Sequence, residues 1–183
     1  YSVAVGNQAG QTAQSTYAVA VGENSGSTSQ GQYAIAVGSG AGSVTQSKGA
    51  VAVGQSAGIS AQGTNAIAVG RGAGSVDQST LAVAVGNNAG QTTQGGGAVA
   101  VGVSAGNDTQ GADAVAVGNQ AGKSAQGSYS VAIGKRAGET NQGANGVIIS
   151  STGVPLDDTT NGHIRIASSL GVLAFTSATG WTL

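Results

Sequence analysis

The apolar residues of this chain recur as one short phrase. AVAVG at residues 18–22 returns as AIAVG at 34–38 and as AVAVG again at 50–54, and eleven mostly small or polar residues separate each copy from the next. Strict alternation of β-branched and small side chains over so short a run predicts a strand rather than a helix turn. Successive side chains on a strand point to opposite faces, so Val19 and Val21 face one way, as do Val51 and Val53, while Ala18, Ala20, Ala50 and Ala52 face the other. A glycine closes every copy, where a turn needs positive φ or a close backbone approach.

The spacing is constant. Gly6, Gly22, Gly38, Gly54, Gly70, Gly86, Gly102, Gly118 and Gly134 stand 16 residues apart, and a second glycine column keeps step from Gly10 and Gly26 to Gly138. A third column is glutamine: Gln14, Gln30, Gln46, Gln62, Gln78, Gln94, Gln110, Gln126 and Gln142. In a solenoid each residue lies over its counterpart one coil away, so one extra residue would shift the whole stack, whereas loops forgive insertions. Two glycines in each repeat would cost a helix about 1 kcal/mol apiece, and the apolar residues lack 3.6-residue spacing. The expectation is an all-β parallel solenoid of about nine 16-residue coils. Each coil would hold two short strands, AVAVG and a second running from about the second glycine toward the glutamine. The column after the first glycine varies through Asn7, Glu23, Ser39, Gln55, Arg71, Asn87, Val103, Asn119 and Lys135, which predicts that it faces water.

Two apolar faces on one strand call for two covers. A flat coil has a single interior, and no helical segment follows that could cover the other side, so another copy of the chain is the expected partner. Closed cyclic symmetry is usual for homo-oligomers, although the periodicity fixes neither the number of copies nor which face meets the axis.

After Gly143 the pattern changes. Gly146, Val147, Ile148, Ile149 and Ser150 stand where AVAVG would be, and serine takes the glycine position. The reading divides the chain into a repeat array over residues 1–143 and a C-terminal β cap, or junction to a following domain, over 144–183. Bulkier apolar residues concentrate there: Leu156, Ile164, Ile166, Leu170, Leu173, Phe175 and Trp181. Strands at residues 163–167 and 172–176, joined across SSLG, are expected to form a hairpin.

Composition narrows the function classes. The chain has 183 residues, a net charge of −1, 7% charged and 3% aromatic residues, 34 glycines and no cysteine. Disorder goes with high charge and few branched aliphatics, which this chain does not match. No basic cluster provides an electrostatic footprint for nucleic acid, and no apolar run approaches the roughly 20 residues of a membrane-spanning helix. The chain opens in mid-repeat, as a fragment would, and an extracellular setting is compatible with the lack of cysteine.

Units such as SVAIGKRAG (residues 130–138) and AIAVGRGAG (66–74) resemble the YadA-like head repeat of trimeric autotransporter adhesins, over residues 1–143. The resemblance implies a left-handed β-roll, a homotrimer about a common axis, and a head that binds host surface glycans or proteins. Two features depart from it. Those heads have a shorter unit, and the fixed glutamine in AQG (Gln62) and NQG (Gln142) is more similar to arrays in fibre proteins of large algal viruses and phages. The tail also lacks a neck or coiled-coil stalk pattern. The expectation is therefore a virion attachment fibre at the virion surface, with a bacterial adhesin head or a passive spacer as alternatives.

Candidate sites are few. Val21, Val53, Gly22, Gly54, Gln30, Gln62, Gln94 and Gln126 are assigned to structural stacking, the glutamines as a polar ladder that satisfies backbone groups and its own column. Tyr17, Tyr33 and Tyr129 share a column with Tyr1 at the entrance to the strand and offer a surface for contact; their parity with the valines predicts edge packing. The threonine columns are too mixed for an ice-binding array, and Asp77, Asp108 and Asp113 do not recur as a calcium solenoid requires. AVGSGAG around Gly38–Gly42 lacks the Lys-Ser/Thr of a phosphate loop. His163 is the single histidine, placed by HIRIAS on the polar face of a strand, and Asp157 and Asp158 read as solvated loop acids. No nucleophile, acid or base constellation, cofactor site or metal column is expected, and the chain is read as a non-enzyme.

Overall fold

The computed structural model describes residues 1–175 and is all-β, with no helix among them. The expected residues Thr176 and Trp181 lie outside the described residues. One twelve-stranded sheet runs the length of the molecule. Its parallel strands begin at Val3–Val5, Val19–Val21, Ile35–Val37 and Val51–Val53 and continue through Ile67–Val69, Val83–Val85, Val99–Val101, Val115–Val117 and Val131–Ile133. Every strand pairs with its counterpart 16 residues on, as in Val19↔Ile35 and Val115↔Val131.

The alanines make the interior. From the second coil on, Ala18, Ala20, Ala34, Ala36 and their equivalents to Ala132 are fully buried, and so is a third column, Ala41, Ala57, Ala73, Ala89, Ala105 and Ala121, from the opposite wall. Apart from one glutamine per coil, the repeat interior is lined mainly by methyl groups. A Cβ placed on Gly58 would lie only 3.2 Å from the Ala52 methyl across the coil.

The glycine at the end of each strand meets both expected demands. Gly54 has φ +128°, and a Cβ there would stand 2.7 Å from the carbonyl carbon and oxygen of Gly70 in the next coil. Glycine is the residue that supplies this conformation without steric cost.

The second strand is shorter and less regular than expected. It is two residues long and forms in four coils, Ser29–Gln30, Thr45–Gln46, Thr93–Gln94 and Thr109–Gln110. In the other coils the residue before glutamine is Ala13, Ala61, Asp77, Ala125 or Asn141, each left-handed with φ between +50° and +57°. Left-handed backbone crowds Cβ, and a β-branched threonine tolerates that least, so threonine holds its coils extended.

The stack does not stop at Gly143. Val147–Ser150 pairs in parallel with Val131–Ile133 at the same step of 16, and Ile164–Ser168 pairs in parallel with Val147–Ser150 at a step of 17. Pairing requires only an extended backbone in register, so replacing alanine by Ile148 and glycine by Ser150 changes the filling without ending the ladder. The expected hairpin is present: Gly171–Phe175 runs antiparallel to Ile164–Ser168 and closes that edge of the sheet.

Two glycines mark the extremes: Gly54 combines a φ only glycine adopts with a close approach, and Gly40 has ordinary left-handed backbone and open space. Gly54→Ala is expected to destabilise the protein by about 3 kcal/mol, whereas Gly40→Ala, at φ +68° with nothing nearer than Ser56 Oγ at 3.8 Å, should cost about 1 kcal/mol. Urea unfolding measures both, and equal losses would refute that contrast.

Candidate functional site

Glutamine is the one polar side chain that the interior carries in every coil. Gln30 Nε2 donates to the Val19 carbonyl at 2.7 Å and to Gln46 Oε1 at 3.2 Å, with a longer contact to the Ala34 carbonyl at 3.3 Å. Gln62 repeats this toward Val51 and Gln78, Gln94 toward Val83 and Gln110, and Gln126 toward Val115 and Gln142. Each amide reaches back 11 residues to its own coil and forward 16 to the next. A buried amide without partners costs several kcal/mol, and this ladder supplies partners at every step. Gln78→Leu should therefore cost about 2–4 kcal/mol, because it also strands the Gln62 donor. Gln14→Leu, at a half-buried end of the ladder, should cost about 1 kcal/mol, and denaturant titration of the pair distinguishes a cooperative ladder from independent bonds.

The valine and isoleucine rows lie outside the coil. Val21 and Val53 are half-buried between their stacked neighbours, and the same two columns include Ile35, Ile67, Val101, Val117, Ile133, Ile149, Ile164 and Ile166, each exposed by 36–42%. Gly22 and Gly54 close these strands with φ of +125° and +128°. The column after them is exposed or half-buried throughout, with Asn87 the most covered.

The tyrosine column occupies a left-handed position, with φ +62° at Tyr17 and Tyr33 and +58° at Tyr129. The strand's alternation therefore does not extend back to it, which corrects the parity expected from the sequence. The same geometry explains why Gly49, Asn65, Gly97 and Asp113 share the column, since glycine, asparagine and aspartate tolerate left-handed backbone best. Tyr1, Tyr17 and Tyr33 stack face to face, with centroids 6.3 and 5.3 Å apart. Tyr17 is thereby flanked on both faces and Tyr33 on one, both staying 50% exposed, while Tyr1 is 98% exposed. Tyr129, between Asp113 and Asn145, is 62% exposed.

The last coil refills the interior with different chemistry. Ile148 follows Ala132 in the central column and Arg165 follows Ile148. Leu156 bridges to Ala137. Asp158 takes the glutamine position, since Gly143 N donates to its carbonyl as Gly127 N donates to that of Gln142. His163 Nδ1 lies 3.1 Å from Asp158 Oδ2, Arg165 Nε lies 4.0 Å from the same oxygen, and Arg165 Nη1 donates to the Asp157 carbonyl at 2.6 Å. Both acids are therefore structural. Asp157 Oδ1 accepts from Thr140 N at 2.8 Å, and Asp158 Oδ1 accepts from Thr160 N at 3.0 Å. The solvated loop acids expected from the sequence become the end plug of an alanine core, and His163 and Arg165 form the polar face of their strand by pointing inward.

Burial alone would raise the Asp158 carboxyl, but hydrogen bonds from Thr160 and His163 and the attraction of His163 outweigh it and hold the group below its ordinary value. A carboxylate depressed in the folded state adds stability above the ordinary carboxylate range and loses it as pH falls through the folded value. Asp158→Asn should lower the Tm at pH 7, and its difference from the unmodified protein should shrink as pH falls from about 5 toward 2. A pH-independent difference in thermal melts would refute that linkage.

Among the described residues no three His, Asp or Glu side chains converge as metal ligands, and no helix is long and apolar enough to cross a membrane. Comparison with family models, with characterised proteins and with solved structures gives no match.

Proposed function

We propose that this chain is one protomer of a homotrimeric extracellular shaft that mediates attachment to a host cell surface, as part of a virion attachment fibre. One observation carries the reading: two adjacent columns of β-branched residues run outside the coil from Val3–Val5 to Ile164–Ser168 without a charged interruption. At about 4.8 Å per strand the strip is roughly 50 Å long and on the order of 500 Å² in area. That is near the largest apolar patch an ordinary monomer exposes, and patches of this size mark interaction surfaces.

The form of the strip favours other copies of the chain as its cover. It repeats with the period of the rod itself, so an identical rod matches it coil for coil. Three rods around an axis bury one strip each and leave the turns, with their variable polar column, facing outward. The resemblance of SVAIGKRAG and AIAVGRGAG to YadA-like head repeats points the same way, toward a trimeric β-roll that displays surface contacts. Repetition then multiplies weak contacts, since linked sites gain about 100-fold or more in avidity when geometry allows simultaneous engagement. In this reading the chain has no catalytic role and no cofactor, and its partners are two further copies and a surface glycan or protein.

Multi-angle light scattering should give a mass three times 17.2 kDa. The double variant Ile67→Asp and Val101→Asp changes only outward positions and should yield monomers that retain a β-type circular dichroism spectrum. A monomeric unmodified protein would overturn the trimer. A folded trimer that binds no host cells or glycans would assign the shaft to passive spacing.

A further inference from the structure

The turns on the outer side are not uniform. Around Gly72 three successive coils leave a depression of about 280 Å³. Its floor exists because position 72 carries no side chain: a Cβ there would stand 2.5 Å from Asn88 Oδ1 and 3.8 Å from Gln91 Nε2 in the next coil. Gln91 is oriented from behind. Its Oε1 accepts from Asn107 Nδ2 at 3.0 Å, and the same Asn107 nitrogen donates to the Asn88 carbonyl at 2.8 Å. The Gln91 amide nitrogen is thereby turned toward the floor as a donor. Arg71 stands at the rim, exposed and without an ion pair among the described residues. Gln55 adds an amide and Ile59 an aliphatic wall, and no acidic side chain lines the depression.

We propose that this depression binds a single carboxylate-bearing sugar residue, such as a uronic acid unit of a surface glycan. The guanidinium of Arg71 is a planar donor fork that matches a carboxylate through two parallel hydrogen bonds. Gln91 Nε2 donates to ring or hydroxyl oxygens, Asn88 Oδ1 accepts from a hydroxyl, and Ile59 faces the aliphatic C–H side of the ring. The volume lies just below the range of drug-sized pockets, which suits one sugar ring and no more. In the column of Arg71 the other coils place Asn7, Glu23, Ser39, Gln55, Asn87, Val103 and Asn119, and the next cation is Lys135, four coils on. One such site per chain is weak alone, about 1 mM, and three per shaft supply the multivalent contact that the attachment reading requires, on which the biological use of the site rests.

Saturation-transfer difference NMR on the full chain tests the site with three probes: glucuronate, glucose and acetate. Glucuronate should give saturable transfer at low millimolar concentration, glucose at least ten-fold weaker, and acetate likewise. Arg71→Gln should weaken glucuronate at least ten-fold and Gln91→Ala several-fold, while Lys135→Gln, in the same column but remote, should leave it unchanged. Equal response to acetate and glucuronate would reduce the site to a bare cation and overturn the sugar assignment. Unchanged binding in Arg71→Gln would overturn the site itself. The residues involved belong to the turns and not to the valine rows, so the measurement stands apart from the scattering mass: a trimer without glucuronate binding removes this site alone, and a monomer that binds glucuronate removes the shaft alone.

Discussion

In this protein the nearest neighbour of almost every residue along the rod is its own counterpart from the adjacent coil. The backbone hydrogen bonds of the strand, the amide chain from Gln14 to Gln142 and the close contact of Gly54 with Gly70 all run in that direction. Identity of position is therefore a condition of bonding. A glutamine can donate to the next glutamine only if both arrive at the same height on the same wall, and that is why the spacing of 16 admits no exception across the array. Stability then accrues from intrinsic coil terms and nearest-neighbour terms, as in other repeat architectures.

Much of this was legible in the chain itself. Alternation in AVAVG gives the strand and its two faces, and constancy at Gln30, Gln46 and Gln62 gives a stacked polar ladder, whose burial inside the coil the alternation does not reveal. Other features were hidden by the rules that made those readings possible. Tyr17 has the right parity for the valine face but takes φ +62°, and alternation says nothing about a residue on the far side of a left-handed turn. The Gly, Asn and Asp that replace tyrosine in its column were the available signal. At the C-terminal end, loss of AVAVG suggested the end of the stack, yet Val147–Ser150 pairs as its predecessors do. Backbone pairing depends on extended conformation, and Ile148, as buried as the alanines before it, keeps the same register as Ala132.

The terminal coil shows how an alanine core can be closed. Its interior passes from methyl groups to Ile148 and Leu156, and then to the carboxylate of Asp158 held by His163 and Arg165. Grading from apolar to charged lets the last layer face water while its inner side meets hydrocarbon. The antiparallel strand Gly171–Phe175 covers the remaining edge, which would otherwise invite another strand to add. The notch at Gly72 and the plug at Asp158 are two places where the chain departs from repetition, and both bring charged side chains to it, as the Arg136–Glu139 pair does between them.

Because each coil bonds only to the one above and the one below, no coil depends on how many others exist. Recombination between near-identical stretches of the gene can thus add or delete whole repeats and return a sound rod of another length. A lineage carrying such a sequence can adjust the length of the rod in discrete increments, with the plug at one end left unaltered.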